Sequence, residues 1–474
     1  LKRSIQILLL SLILLVALGL RAACYTGPIG SDDHDYYLAA HDIYTGKYQP
    51  SDSYFKNRFG MLLPIAAAYS LFGTNEYAAA LWPMLCSFGA IVVCFLLGNM
   101  LLNPRAGLLG ALLLAFYPLD IHYSGLILPD IPLSFLMAAS VFVFLAACKR
   151  SKFSAPLFFL SGLLLAVAYS CRSMSIILLP FFVLYVLFFE RTFKSAYLLF
   201  LVGLLVLPVS EGSYYLAHGL NPLHNILLNK NAALQVNSTN ECSTSQLYYL
   251  RVITGNFKVF GLYFFLFLPA LSLAVMRRER GALILALWAG LLLIILEFGV
   301  VNISPLIEIV KVRKFLNYVT VPLVLLAAWA LLHLRPWLRA TILVFLIGTS
   351  LYFLKPYQYR ANMTPEASGA YVRQIARFLE NAPSKPIYAD RRTQAMLTIF
   401  SDFEFRPDRF RNLYDVESPL DLKDCYVVIN GFYVRFDSAA PWAKVPQFVA
   451  HYPEGIPPNW KVKSFLFSAV YTVP

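Results

Sequence analysis

The run FGMLLPIAAAYSLFGTN at residues 59–75 decides the fold, because it is uncharged and apolar and either crosses a membrane or lies along one. Eleven further runs contain no Asp, Glu, Lys or Arg: 4–20, 77–102, 106–119, 131–148, 153–171, 173–189, 195–210, 259–276, 281–296, 315–332 and 340–354. Crossing about 30 Å of hydrocarbon takes roughly 20 helical residues, and flanking residues complete the shorter runs. These runs predict eleven transmembrane helices. If 59–75 also crossed, every later loop would change sides.

Counting basic residues separates the two topologies. With eleven spans and the N-terminus inside, the inner segments (1–3, 103–105, 149–152, 190–194, 277–280, 333–339) total 26 residues with 13 Lys/Arg and two acids. The outer segments (21–58, 120–130, 172, 211–258, 297–314) total 116 residues with 11 Lys/Arg and 11 acids. That asymmetry is what the positive-inside rule expects. Residues 59–75 therefore read as a helix lying in the outer interface. The first span ends Arg21-Ala22-Ala23-Cys24, like a lipoprotein cleavage site, but Arg21 stands where such a site takes an aliphatic residue. It reads as a signal anchor.

Composition agrees with a membrane protein. Of the 474 residues 59% are hydrophobic and 14% charged, with mean hydropathy +0.63; soluble domains are nearer half apolar and a quarter charged. A soluble enzyme and a disordered chain are excluded. The net charge of +13 lies in short clusters between apolar runs, which argues against a nucleic-acid partner.

The expected organisation is an all-α polytopic membrane unit over 1–354, with a first extracytoplasmic loop at 21–76, followed by a soluble extracytoplasmic α/β unit over 355–474. The tail carries 15 basic and 12 acidic residues and no run long enough to span. Thr364-Pro365-Glu366 reads as an N-cap, N1 proline and acidic first turn opening a helix to about Glu380. Residues 385–390 and 425–430 read as buried strands. Of the seven cysteines, Cys86, Cys94, Cys148 and Cys171 lie in spans; a bridge between Cys24 and Cys242 is compatible with the spacing, and no spacing suggests zinc.

Nearly all the polar mass is extracytoplasmic, so the chemistry belongs there. The first loop holds Gly30-Ser31-Asp32-Asp33-His34-Asp35-Tyr36-Tyr37, with three carboxylates in four residues. Crowded carboxylates beside a low-dielectric surface raise at least one pKa and suit a general base or a metal ligand. The plainer reading is an N-cap and acidic first turn. Asp130, between Pro129 and Pro132 at the mouth of a span, has the same two readings. His34 reads as a solvated loop residue. Arg58, Arg172 and the stretch Lys311-Val312-Arg313-Lys314 lie at the same membrane level, where a cation is costly without an anionic partner. Acids and cations together describe an outward-facing site able to hold a phosphate.

This ordered set resembles the polyprenol-dependent GT-C glycosyltransferases, in particular glycosyltransferase family 39, the group of protein O-mannosyltransferases and aminoarabinose transferases. Asp32-Asp33 with Tyr36, Ala40 and Gly46 resemble the family's acidic pair and its following Tyr and Ala. Residues 58–76 resemble its juxtamembrane helix, 126–133 its Pro-Asp segment, 165–180 its Arg-bearing helix pair, and 313–328 its basic-aromatic approach to a late span. The likeness covers roughly the first 330 residues. Two departures stand out: Arg58-Phe59-Gly60 replaces the common Lys-Pro-Pro, and the Arg often found after the following Glu is absent at Leu81-Trp82.

The resemblance implies a sugar donor carried on polyprenyl phosphate and an inverting transfer to a lipid, glycan or protein acceptor at the outer membrane face. It implies Asp32 as the catalytic carboxylate, Asp33 as its neighbour and Asp130 as a second acid. Arg58, Arg172, Arg313 and Lys314 would hold the lipid phosphate. A divalent metal is compatible with this chemistry, though no residue pattern fixes its ligands. The competing classes are a transporter or lipid flippase and a membrane-anchored sensor. A transporter would show an internal repeat and ionisable groups at mid-membrane, and neither is visible. Eleven spans are excessive for a sensor's anchor. Short inner turns and the compact tail fit a cell inner membrane.

Overall fold

The computed structural model describes residues 2–149, 154–239, 246–256, 260–304, 307–354, 365–405, 407–439 and 444–474. The chain opens with α1 (Arg3–Ala23), α2 (Asp33–Tyr44), α3 (Phe59–Phe72), α4 (Glu76–Leu101), α5 (Pro104–Ala115), α6 (Pro118–Ser124), α7 (Asp130–Lys149) and α8 (Ser154–Cys171). Among the described residues nine helices are long and apolar enough to cross a membrane. They are α1, α4, α7, α8, Ser173–Glu190, Tyr197–Ala217, Arg280–Phe298, Arg313–Leu332 and Pro336–Phe353, each on one of the expected runs.

The other two expected spans take different forms. Run 106–119 is a broken helix: α5 and α6 meet at 58°. Pro118 starts the second piece, where a missing N–H costs nothing. Run 259–276 contains the 14-residue helix Phe264–Arg277, shorter than a full crossing; residue 259 lies outside the described residues. Run 59–75 gives α3, also 14 residues, about 21 Å at 1.5 Å per residue and too short to span.

Helix starts follow local sequence. The Asn75 side chain accepts the Ala78 amide at 2.8 Å and starts α4. Asn103 accepts the Ala106 amide at 3.0 Å with Pro104 at N1, starting α5. Glycines set the closest packing. A methyl group on Gly162 of α8 would collide with the Phe200 carbonyl, and one on Gly203 with the Phe159 carbonyl. Helix Tyr197–Ala217 thus lies backbone to backbone against α8, the close approach small residues give helices in lipid.

One hydrophobic core runs through the helices, and two smaller cores lie in residues 372–473. A short ribbon pairs β1 (Val300–Asn302) with β2 (Ile307–Glu308). Beyond the last span come helix Pro365–Glu380 and the strands β3 (Ile387–Ala389), β4 (Phe410–Asn412), β5 (Tyr426–Asn430), β6 (Lys461–Phe465) and β7 (Ser468–Thr472). Their order is β4-β3-β5-β7-β6. β3 is parallel to β4 and β5, whereas β7 is antiparallel to β5 and β6, with Val428 opposite Val470. All five residues of β5 are buried. β6 is an exposed edge carrying Lys461 and Lys463, charges of the kind that discourage a further strand from pairing there. Thr364, expected to cap the helix at 365, and Cys242, whose bridge to Cys24 no sequence pattern supports, lie outside the described residues; the Cys24 sulfur sits 3.8 Å from the Leu354 carbonyl.

Several contacts hold this sheet-bearing part against the first loop, among them the stacking of Phe403 on His41 at 3.9 Å. The Tyr433 hydroxyl donates to the Ile29 carbonyl. Arg373 Nη2 reaches Glu76 Oε2 at 2.6 Å.

Candidate active site

α2 begins at the acidic cluster and buries Asp33, Tyr36, Tyr37, Ala39 and Ala40, one face of a helix. Asp32 occupies the N-cap position with φ −58° and ψ −20°, and its side chain makes no cap bond. Its Oδ2 instead faces Lys314 Nζ at 3.4 Å. Asp33 does the structural work: fully buried, its Oδ2 accepts the Ile29 amide at 2.7 Å, while Oδ1 has no partner. Burial pushes the Asp33 pKa up, against the pull of the Ile29 amide.

Arg58 is aimed by the loop before it. Asn57 is fully buried and ties that loop together, accepting from the Tyr48 hydroxyl at 3.0 Å and donating to the Ser53 carbonyl at 3.1 Å. The Arg58 guanidinium then donates to the Tyr36 hydroxyl and lies 5.0 Å from the Tyr54 ring and 5.2 Å from the Phe55 ring. Gly60, next in the chain but one, sets the docking of the following helix. A side chain on it would collide with the Cys171 amide and Val167 carbonyl, so α3 docks directly on α8.

Asp130 is fully buried at the start of α7, and its Oδ1 accepts from Arg172 Nη1 at 3.2 Å and from the Tyr318 hydroxyl at 3.1 Å. Arg172 also stacks on Phe315 at 4.6 Å. Burial opposes the charge on Arg172, but Tyr318, Asp130, Tyr36 and Asp32 outweigh it and raise its pKa. Arg172 is therefore held in place and charged.

These pieces converge on a cavity of about 370 Å³ lined by Asp32, Arg58, Arg172 and Lys314, with Tyr54 and Phe315 beside them and Ile309 and Val310 on an aliphatic wall. Asp32 also lines a second cavity, of about 330 Å³, together with His34, Asp35, Arg392, Tyr433 and Phe436. The carboxylate thus stands at the seam between a cationic cavity and an aromatic one.

Other expected residues lie elsewhere. Asp33 and Asp130 line neither cavity, and Arg313 is exposed outside both. Lys311 is no free phosphate ligand: it is buried and paired with Glu297 at 3.2 Å and Glu308 at 3.3 Å. Among the described residues no three metal-ligating side chains converge; Asp32 faces a lysine, a neighbour that disfavours a cation.

Sequence reading missed Tyr318, Phe315 and Tyr54, which fix the arginines, and Arg392, which comes from the tail. It also missed a hydrogen-bond chain behind the site, in which Ser170 donates to Glu211 at 2.5 Å and Asn225 donates to Glu211 at 3.2 Å. Only a polar residue amid an apolar run, as at Glu211, signals such a group in advance.

The fold that builds this site is shared with ArnT. Residues 60–212 match the family described as dolichyl-phosphate-mannose-protein mannosyltransferase. Among solved structures the chain is similar to ArnT from Cupriavidus metallidurans bound to undecaprenyl phosphate, with TM-score 0.69 and 16% identity over 99% of this chain and 98% of that one. It is also similar to the archaeal oligosaccharyltransferase AglB from Archaeoglobus fulgidus in complex with an inhibitory peptide and a dolichol-phosphate, with TM-score 0.58 and 13% identity over 100% of this chain and 74% of that one. None of the curated proteins matches the sequence.

Proposed function

We propose that the chain is a membrane glycosyltransferase that moves a sugar from a polyprenyl-phosphate donor to an acceptor hydroxyl. The position of Asp32 carries this reading. Its carboxylate caps no helix, faces Lys314, and borders both cavities. The donor phosphate would sit among Arg58, Arg172 and Lys314, with its prenyl chain leaving along the aliphatic wall. The acceptor would come from the aromatic cavity. As its oxygen attacks the anomeric carbon, Asp32 takes the hydroxyl proton and the bond from that carbon to the phosphate oxygen breaks. The three cations stabilise the departing phosphate. Attack from the face opposite the leaving group inverts the anomeric centre. Asp130 acts through Arg172, and Asp33 through the Ile29 turn, so both are positioning residues. Arg313 keeps at most a peripheral role.

The undecaprenyl phosphate in the ArnT structure and the dolichol-phosphate in the AglB structure support a lipid phosphate as the donor's carrier. We place the boundary between the membrane unit and the extracytoplasmic unit at 354/355, supported by two cores that lie wholly within residues 372–473, with Ile399 and Phe403 docking onto the core of the membrane helices. The count of basic residues, made with run 259–276 as one of eleven crossings, supports a cytoplasmic N-terminus and an extracytoplasmic tail, and the short inner turns and compact tail support an inner membrane. Incubating the purified protein with a panel of polyprenyl-phosphate sugars and a membrane-extract acceptor tests the function. Acceptor-dependent release of polyprenyl phosphate from one donor is expected; release from none would refute it.

A further inference from the structure

At the end of the bundle away from Asp32, α4 ends at Leu101, α7 at Lys149 and the segment Val186–Glu190 at Glu190, while helix Arg280–Phe298 begins. α7 alone, 20 residues long, separates Asp130 from Lys149 by about 30 Å. These ends enclose a pocket of about 530 Å³ lined by Lys149, Tyr185, Phe189, Glu190 and Arg280. Among the described residues Glu190 is its single carboxylate. It accepts from the Tyr185 hydroxyl at 3.0 Å and pairs with Lys194 at 3.5 Å and Arg280 at 3.7 Å. Lys149 donates to a neutral acceptor, the Met100 carbonyl, at 2.8 Å. Lys194 and Arg280 thus share one acid while Lys149 lines the same pocket, and the side chains of Arg280 and Lys194 remain 66% and 41% exposed.

The other side of the same turn is apolar. Val186–Glu190 is a π-helical turn, a local widening often found at functional positions. Val186 and Leu187, with Phe182, Phe193, Tyr197 and Leu201, line a groove of about 360 Å³. A cationic pocket and an apolar groove therefore share one turn, at the level where the spans end.

We propose that this pair binds an anionic phospholipid of the leaflet opposite the active site. Its phosphate would be held by Lys149, Lys194 and Arg280, and one acyl chain would lie in the groove. A phosphate matches the excess of cations, and the adjoining groove favours a lipid over a free anion. The site is independent of the sugar-transfer reading, since none of its residues lines either cavity at Asp32.

The test is native mass spectrometry and thermal shift of the delipidated full-length protein with phosphatidylglycerol, phosphatidylcholine or inorganic phosphate. Phosphatidylglycerol alone is expected to be retained and to raise Tm. Lys149→Gln with Arg280→Gln should weaken retention about 25-fold, at about fivefold per cation. Glu190→Gln, which removes the acid and leaves every cation, should tighten it about fivefold, so the idea stays testable if the double variant fails to fold. Equal retention of phosphatidylcholine, an equal Tm rise with inorganic phosphate, or unchanged affinity in Glu190→Gln would overturn the proposal.

Discussion

Asp32 and Asp33 are adjacent and chemically identical, yet their surroundings divide their work. Asp32 reaches both cavities, whereas Asp33 is enclosed and bonded to Ile29. Asp33→Asn keeps an oxygen for the Ile29 amide and is expected to retain most of the wild-type turnover; Asp33→Ala loses that bond and should lower Tm. The two also differ with pH. Burial raises the Asp33 pKa above its unfolded value, so the folded state holds that proton more tightly. The resulting stability is present below the unfolded carboxylate range and is lost as pH rises through the raised value. Wild type should lose Tm across that window and Asp33→Asn should lose less, measured by thermal melts against pH. The sequence showed where carboxylates cluster but not which one is enclosed, because that depends on the Ile29 turn folding back over α2.

The Asp130 and Arg172 pair gives a related result. With Asp130 fully buried, Asp130→Ala strands a cation and should cost about 3–5 kcal/mol. Asp130→Leu with Arg172→Met should recover most of that stability in thermal melts while sugar transfer stays lost. A double variant that regained transfer would show that Arg172 has no part in holding phosphate. Both residues were visible in the sequence as isolated charges at span mouths; their partnership with Tyr318 was not, since 188 positions separate Tyr318 from Asp130.

The broken helix of α5 and α6 depends on a clasp that composition hides. Arg21 is 1% exposed and pairs with Asp120, its Nε donates to Ser87 at 2.7 Å, and Nη1 donates to the Ala115 carbonyl at 3.2 Å. The clasp joins α1 and α4 to both sides of the bend. Arg21→Met should cost about 3–5 kcal/mol by leaving Asp120 buried and unpaired, and Arg21→Met with Asp120→Leu should restore much of it; Tm in detergent measures both. Arg21 was legible as a misfit in a cleavage-like sequence, but its partner was not. The nine long spans were legible because lipid demands long apolar runs. The bend at Pro118 and the short helix Phe264–Arg277 were not, because absence of charge marks an apolar run without fixing its helix ends.

The whole molecule sets its sheet-bearing tail over the first loop, and Arg392 in the tail completes the cavity on one side of Asp32. Strands β3 and β5 could be read from their apolar runs; β4 is short and β6 exposed, so both carry little signal, and β7, though buried, was not read. The docking of the tail had none, because it rests on contacts between residues far apart in the chain, such as Tyr433 with Ile29 and Phe403 with His41. Arg373→Ala removes the 2.6 Å pair with Glu76 and should increase amide exchange around Ile29 without unfolding the membrane helices. The central claim is that Asp32, between two cavities, accepts the acceptor's proton. It is tested most directly by the rate of polyprenyl phosphate release from Asp32→Asn against wild type at saturating donor and acceptor, with Tm matched. A loss of about 10²- to 10⁴-fold is expected; release at the wild-type rate would contradict it.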